Sequence, residues 1–350
     1  EMLRSLVGSE MCIRDSACMA LFTSCYEEDT LTPTEGGIEL RFKVPQGNNS
    51  WDDDIAQIYE DYNVYLIYKD LQRADFNRSW TGISYGSGYE GQGCVNDEMT
   101  NYYVEFMKKH IFAYLNPPIT SKVLPMYWYL GYNVYSKSVL EVGGVILASW
   151  IVPIHENYDG LDYWCTCMFG EDNPSEPYLI PTDRALLDRR RKMILAPVLE
   201  KAVKAGNIII PEEFEVGFDH VTNLIAGLGM ENDPNYYLTR GYPGSVNTYV
   251  FNSISEPANN SYPPTNEETF IGYMHLSMYY NQARLAEVYP ADKYPFLTEK
   301  FAFVQKYLKD KYQIDLEAIA NGPEDWDLPL PPIPAVSYTH LRAHETPEHL

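Results

Sequence analysis

The chain has 350 residues, 45% of them hydrophobic, enough to bury a core in one large domain or two small ones. Lys and Arg number 26 against 49 Asp and Glu, a formal charge of -23, and such a surface repels nucleic-acid phosphates and anionic lipid heads, so no nucleic-acid partner is expected. No run of 18 apolar residues occurs, so no segment is suited to crossing a membrane as a helix. In chain order, Gly36–Lys43 reads as a first strand and Trp51–Tyr62 as a short amphipathic helix with acids in its first turn, where the helix dipole favours them. Val64–Tyr68 is a strand, and Arg73–Gly93 a loop rich in Gly and Tyr. Asp97–Leu115 is a helix stopped by Pro117-Pro118. Tyr127–Tyr135, Val139–Ile151 and Tyr163–Phe169 read as strands. Asp183–Ala205 is helical, ended by Gly206 and bent at Pro197. Helices follow over Glu212–Leu228, Glu267–Val288 and Lys293–Tyr312, then an extended proline-rich end over Pro323–Pro334. Strands first and helices later predict an α+β domain, a mixed sheet followed by helices.

The two ends stand apart. Residues 1–16 and 335–350 resemble translated sequencing adapters and are set aside from fold reasoning. Three of the seven histidines fall in the second stretch, and the zinc-helix spacing of His340 and His344 is discounted with it. Residues 17–25 resemble the tail of a truncated lipoprotein signal: Phe22-Thr-Ser-Cys25 resembles a lipobox, with Cys25 the acylated anchor. Residues 26–38 form a polar tether, and its acidic start, Tyr26-Glu-Glu-Asp29, is similar to the surface-export signal of Bacteroidota lipoproteins. A single domain over 39–334 is expected, located at the outer membrane and cell surface.

Within that domain the chemistry is sparse. Cys165 and Cys167 alternate onto one strand face, too few for a zinc site and better read as small buried apolar residues. His155-Glu-Asn-Tyr-Asp159 is a frayed H-E-x-x-H, but Pro153 and Gly160 flank it and deny it a helix. His220 follows Asp219, and His275 lies among aromatic residues of a helix. No nucleophile elbow, phosphate loop, dinucleotide fingerprint or calcium loop occurs. The 30 tyrosines suit contact with a sugar or a peptide, because the ring stacks while the hydroxyl bonds.

Several stretches together resemble the zinc-binding metallopeptidase lipoproteins of Bacteroidota encoded at nutrient-import loci. They are Pro45-Gln-Gly-Asn48 with Trp51-Asp52, Tyr65-Leu-Ile-Tyr68, Ala74-Asp-Phe-Asn77 with Trp80-Thr-Gly82, Ile210-Pro-Glu-Glu-Phe214, Glu267–Tyr273, and Val304-Gln-Lys-Tyr307 with Ile314-Asp-Leu316. The resemblance implies a zincin-like scaffold: a helix bearing H-E-x-x-H just before the Ile-Pro segment, and an acidic third ligand on a later helix. Here the first helix has no histidine. Glu200 falls at the base position, with Leu199 and Val203 where ligands belong. The third ligand falls near Gly272, one turn after Glu268. The resemblance therefore implies a member with a degenerate metal site and no cofactor. Its cleft, lined by Tyr and Trp, would hold a peptide or glycan for an outer-membrane transporter complex. Two alternatives are an active zinc peptidase with displaced ligands, drawn from His155, His220, Glu268 and His275, and a structural partner of an import complex.

Overall fold

A computed structural model describes residues 40–78, 88–157, 160–170, 181 and 183–323. The chain divides into units at residues 1–41 and 42–350, and the elements below belong to the second. The fold is α+β, as expected: a six-stranded mixed sheet precedes most of the helical mass.

The sheet is built around one long strand, β3 (Tyr127–Val142). Its first half runs parallel to both β1 (Tyr65–Ile67) and β6 (Tyr163–Phe169), in register Tyr65–Tyr127–Tyr163. Its second half runs antiparallel to β2 (Gly88–Gly93) and β4 (Val145–Pro153), and β5 (Glu156–Asn157) adds to the outer edge of β6. Period-two alternation decides the layers. Trp128 and Leu130 face the large helical core, whereas Tyr127 and Tyr129 face a second cluster that also holds Phe42, Phe76, Cys165 and Cys167. Both cysteines are buried, with thiols pushed well above their ordinary titration range by that burial, which fits their reading as apolar filling.

The helices among the described residues are α1 (Ser50–Tyr62), α2 (Arg73–Phe76), α3 (Asp97–Phe106), α4 (Pro117–Thr120), α5 (Arg184–Lys204), α6 (Glu212–Glu215), α7 (Asn266–Tyr279), α8 (Gln282–Val288), α9 (Pro295–Tyr312) and α10 (Leu316–Asn321), of which α2 packs Phe76 into the second cluster. The central helix is α5. Asp183 caps it by accepting from the Leu186 N–H, and Gly206 leaves it at φ +77. It is buried on nearly every side, as a helix through the middle of a core must be.

Several expected elements differ. Leu40–Lys43 carries no strand, and 36–39 lie outside the described residues. Gly143-Gly144 splits the expected strand Val139–Ile151 into a hairpin. Both glycines have positive φ, the backbone that a two-residue hairpin turn demands. The expected loop 73–93 begins with α2 and ends with β2. Past Phe106 the predicted helix over Asp97–Leu115 loosens into a π turn (Met107–Ile111) and a 3-10 turn (Phe112–Tyr114). Only Glu212–Glu215 of the expected helix 212–228 is helical. The chain beyond it is pinned in turns by Arg240 Nη1, which donates to the Thr222 carbonyl, and by Tyr242, which donates to the Asp219 carbonyl. The expected helix over Glu267–Val288 breaks at Tyr280, where Asn281 caps a new start. The proline-rich end lies outside the described residues beyond Pro323.

Candidate functional site

The expected site helix is α5, and the expected later helix is α7. The two pack together. At the expected ligand positions, Leu199 is fully buried and Val203 nearly so, both within the main core. Their burial contributes about 1.5–3 kcal/mol each to folding, so these positions serve the core. Glu200, between them, points to the edge of the helix. One of its oxygens accepts from Lys204 at 2.6 Å, an i,i+4 pair, and the other lies 3.8 Å from His275 Nε2. His275 is buried, and its ring also bonds the Ala196 carbonyl. Burial lowers its pKa to about 4, partly offset by the Glu200 carboxylate, so at neutral pH it is an uncharged imidazole beside a carboxylate.

Beside this pair a cavity of about 200 Å³ is lined by Glu156, Met193, Pro197, Glu200, Thr248 and Tyr249. Its floor is a buried polar relay. Arg190, fully enclosed, lies 2.7 Å from a Glu156 oxygen and donates to the carbonyls of His155 and Cys167. Thr166 Oγ1 donates to the other Glu156 oxygen at 2.7 Å and accepts from Trp128 Nε1 at 2.9 Å. A carboxylate held by an ion pair on one oxygen and a hydroxyl on the other is a rigid wall. Sequence reading missed this relay, although three successive arginines leading into the apolar run Met193–Leu199, Arg189-Arg190-Arg191, are a signal that buried cations need partners.

Of the remaining predicted residues, His155 borders this cavity through Tyr249, and His220 and Glu268 lie elsewhere. His155 sits at the strand end between β4 and β5, its ring against Tyr249. Burial and the nearby Arg190 cation lower its pKa to about 4. His220 lies in the loop after α6, with Nδ1 2.7 Å from the Pro264 carbonyl and 3.3 Å from the Tyr242 hydroxyl. Glu268 caps α7: its carboxylate accepts from the Thr265 N–H and hydroxyl, and those bonds hold its pKa below the usual carboxylate range. The structure thus brings together Glu200 and His275. Among the described residues, no three His, Cys, Asp or Glu side chains gather as a metal's ligands would. Cys25 lies outside the described residues.

A larger groove of about 460 Å³ runs along the first turns of α7, between Tyr242, Pro243, Pro257, Tyr262 and Glu268. Tyr262 is 83% exposed there, an aromatic face open to a ligand. The expected tryptophan lining is absent from both spaces among the described residues: Trp128 and Trp164 are core residues, and Trp150 lies on the β3–β4 hairpin. A third cavity, about 580 Å³, opens between the π turn and α10, with cations and acids mixed around it.

Neither a protein-family profile nor a curated protein matches the chain. A crystal structure described as a "putative zinc-binding metallo-peptidase" from Bacteroides caccae is similar to it at 12% identity and a TM-score of 0.40, over 77% of this chain and 88% of that one.

Proposed function

We propose that the chain is a zincin-like lipoprotein with a degenerate metal site, which binds a peptide or glycan in the groove beside α7 and does not hydrolyse it. The observation that carries this reading is the burial of Leu199 and Val203 in the core, at the two positions where the sequence resemblance calls for ligands. Neither side chain has a lone pair to offer a metal. The groove supports the binding half of the proposal. Its volume falls in the range of small-ligand sites, and it combines a proline wall with tyrosine rings and the Glu268 carboxylate. The lipid on Cys25, the outer-membrane surface location and the link to an import system rest on the sequence resemblance, and mass spectrometry of Cys25 tests the first of them.

One observation favours the displaced-ligand peptidase instead: a neutral imidazole and a carboxylate do meet, at His275 and Glu200. Titration calorimetry with peptide and glycan fragments separates the two readings. The proposal expects saturable binding, no cleavage of the titrant, and a loss of about tenfold on Tyr262→Ala, the size of a stacking contact. Cleavage of the titrated peptide would overturn it.

A further inference from the structure

Beside the smaller cavity two acceptors face each other with no donor between them. His275 is 8% exposed, and its ring bonds the Ala196 carbonyl. Its Nε2 has no hydrogen-bond partner among the described residues, so the bonded nitrogen is Nδ1. An uncharged ring that donates through Nδ1 presents a lone pair at Nε2. That lone pair meets Glu200 Oε2 across 3.8 Å, too far for a hydrogen bond. The second oxygen, Oε1, is taken by Lys204. A lone pair and a carboxylate oxygen repel each other, and a buried acceptor left unpaired is unfavourable.

One atom carrying two hydrogens satisfies both acceptors from about 2.9 Å, and a positive charge on it adds attraction to the carboxylate. An ammonium, with three N–H groups, meets both demands. The rest of the lining fits the stem of such a group. Met193, Pro197 and Tyr249 supply apolar surface, and a tyrosine ring face attracts a cation. Glu156 has its oxygens engaged by Arg190 and Thr166, so it closes the cavity without competing for a ligand. The volume of about 200 Å³ is below that of sites for drug-sized molecules and suits a short alkyl chain. The surrounding charge agrees. Lys204 has its pKa raised by its bond to Glu200 and by the nearby Glu267 and Glu268 carboxylates, so acids outnumber it here.

We infer that this cavity is a binding site for a primary alkylammonium group, with the nitrogen bridging Glu200 Oε2 and His275 Nε2 and the stem lying against Met193, Pro197 and Tyr249. It shares no lining residue with the groove at Tyr262, so the two sites stand or fall separately.

The test titrates the full chain with n-butylammonium in chelator-treated buffer. Ligand line broadening reads the dissociation constant, and the ¹⁵N resonances of the His275 ring read the contact. The inference expects saturation in the millimolar range, with a shift at Nε2 larger than at Nδ1. n-Butanol keeps the stem without the charge, and n-butyltrimethylammonium keeps the charge without an N–H. Each should bind about tenfold more weakly or worse. Glu200→Gln should weaken butylammonium by about tenfold or more. Lys204→Met removes the cation that shares the carboxylate, and should tighten binding severalfold; Lys204 is 54% exposed, so its loss leaves the fold intact. Competition assigns the natural source within the same chemistry. Displacement by a peptide with blocked ends and one lysine points to a side chain, displacement by a lysine-free peptide with an open amino terminus to a chain end, and displacement by neither to a free amine. No saturation by about 100 mM, equal binding of the alcohol or the quaternary ion, or a Lys204→Met chain that binds no tighter would each overturn the inference.

Discussion

Replacing Arg190 by Met tests the relay beneath the site cavity. Arg190 is fully enclosed, and its ion pair with Glu156 spans 2.7 Å, with the Glu156 side chain only 6% exposed. Removing the cation leaves a buried carboxylate without its countercharge, which costs about 3–5 kcal/mol. The carbonyls of His155 and Cys167 lose their shared donor as well. Against a total stability of about 5–15 kcal/mol for a globular domain, the loss is severe. Urea unfolding followed by circular dichroism reads it as a lowered midpoint. Removing both charges together, Arg190→Met with Glu156→Leu, should return the protein to within about 2 kcal/mol of wild type, because an apolar pair of similar volume replaces a buried ion pair at little net cost. The reasoning fails if Arg190→Met costs under about 1 kcal/mol, or if the double variant is as unstable as the two single variants summed.

Two further outcomes follow from the same geometry. His155 and His275 both have folded pKa values lowered to about 4 from 6.5, chiefly by burial. A group with a depressed folded value contributes stability that is present above its unfolded value and lost as pH falls through the folded one. Unfolding midpoints should therefore drop between pH 6.5 and 4, by an amount on the order of 1–2 kcal/mol per histidine at pH 5, and His275→Gln should flatten that drop; a pH-independent wild type contradicts it. The Tyr273 hydroxyl, fully buried on α7, donates to the Gly241 carbonyl at 2.5 Å. Tyr273→Phe should cost about 1–2 kcal/mol in denaturant titration, and a neutral result would contradict that.

Much of the scaffold was legible because its signals are local. Tyr163–Phe169 is a nearly continuous apolar run of strand length, buried on both faces, and α5 is bracketed by an Asp cap and a Gly exit. The residues that carry the family resemblance prove to be staples. The Asp52 carboxylate holds the backbone at Gly47 and Asn49 and the hydroxyl of Tyr68. Gln46 bridges to the backbone of Tyr68 and Lys69, Asn77 clamps the backbone of Tyr89, and Tyr307 donates to the Ile209 carbonyl. Such residues report a scaffold and say little of chemistry. The hairpin at Gly143-Gly144 was hidden because the apolar run continues on both sides of the turn. Apolar spacing over 212–228 imitates a helix, but the long-range bonds of Arg240 and Tyr242 prevent one. The contact between Glu200 and His275 spans 75 positions, and a buried relay running from Trp128 to Arg190 depends on sheet register, which no window of sequence contains.

The central claim is that the chain binds its ligand in the groove beside α7 while the α5–α7 position holds no metal and does not hydrolyse. The most direct test is the metal content of the full chain, purified without chelator, together with peptide hydrolysis before and after chelation. The account predicts far less than one equivalent of zinc per chain, with no hydrolysis for a chelator to remove. One equivalent of zinc, with hydrolysis abolished by chelation and lost in Glu200→Gln, would contradict it.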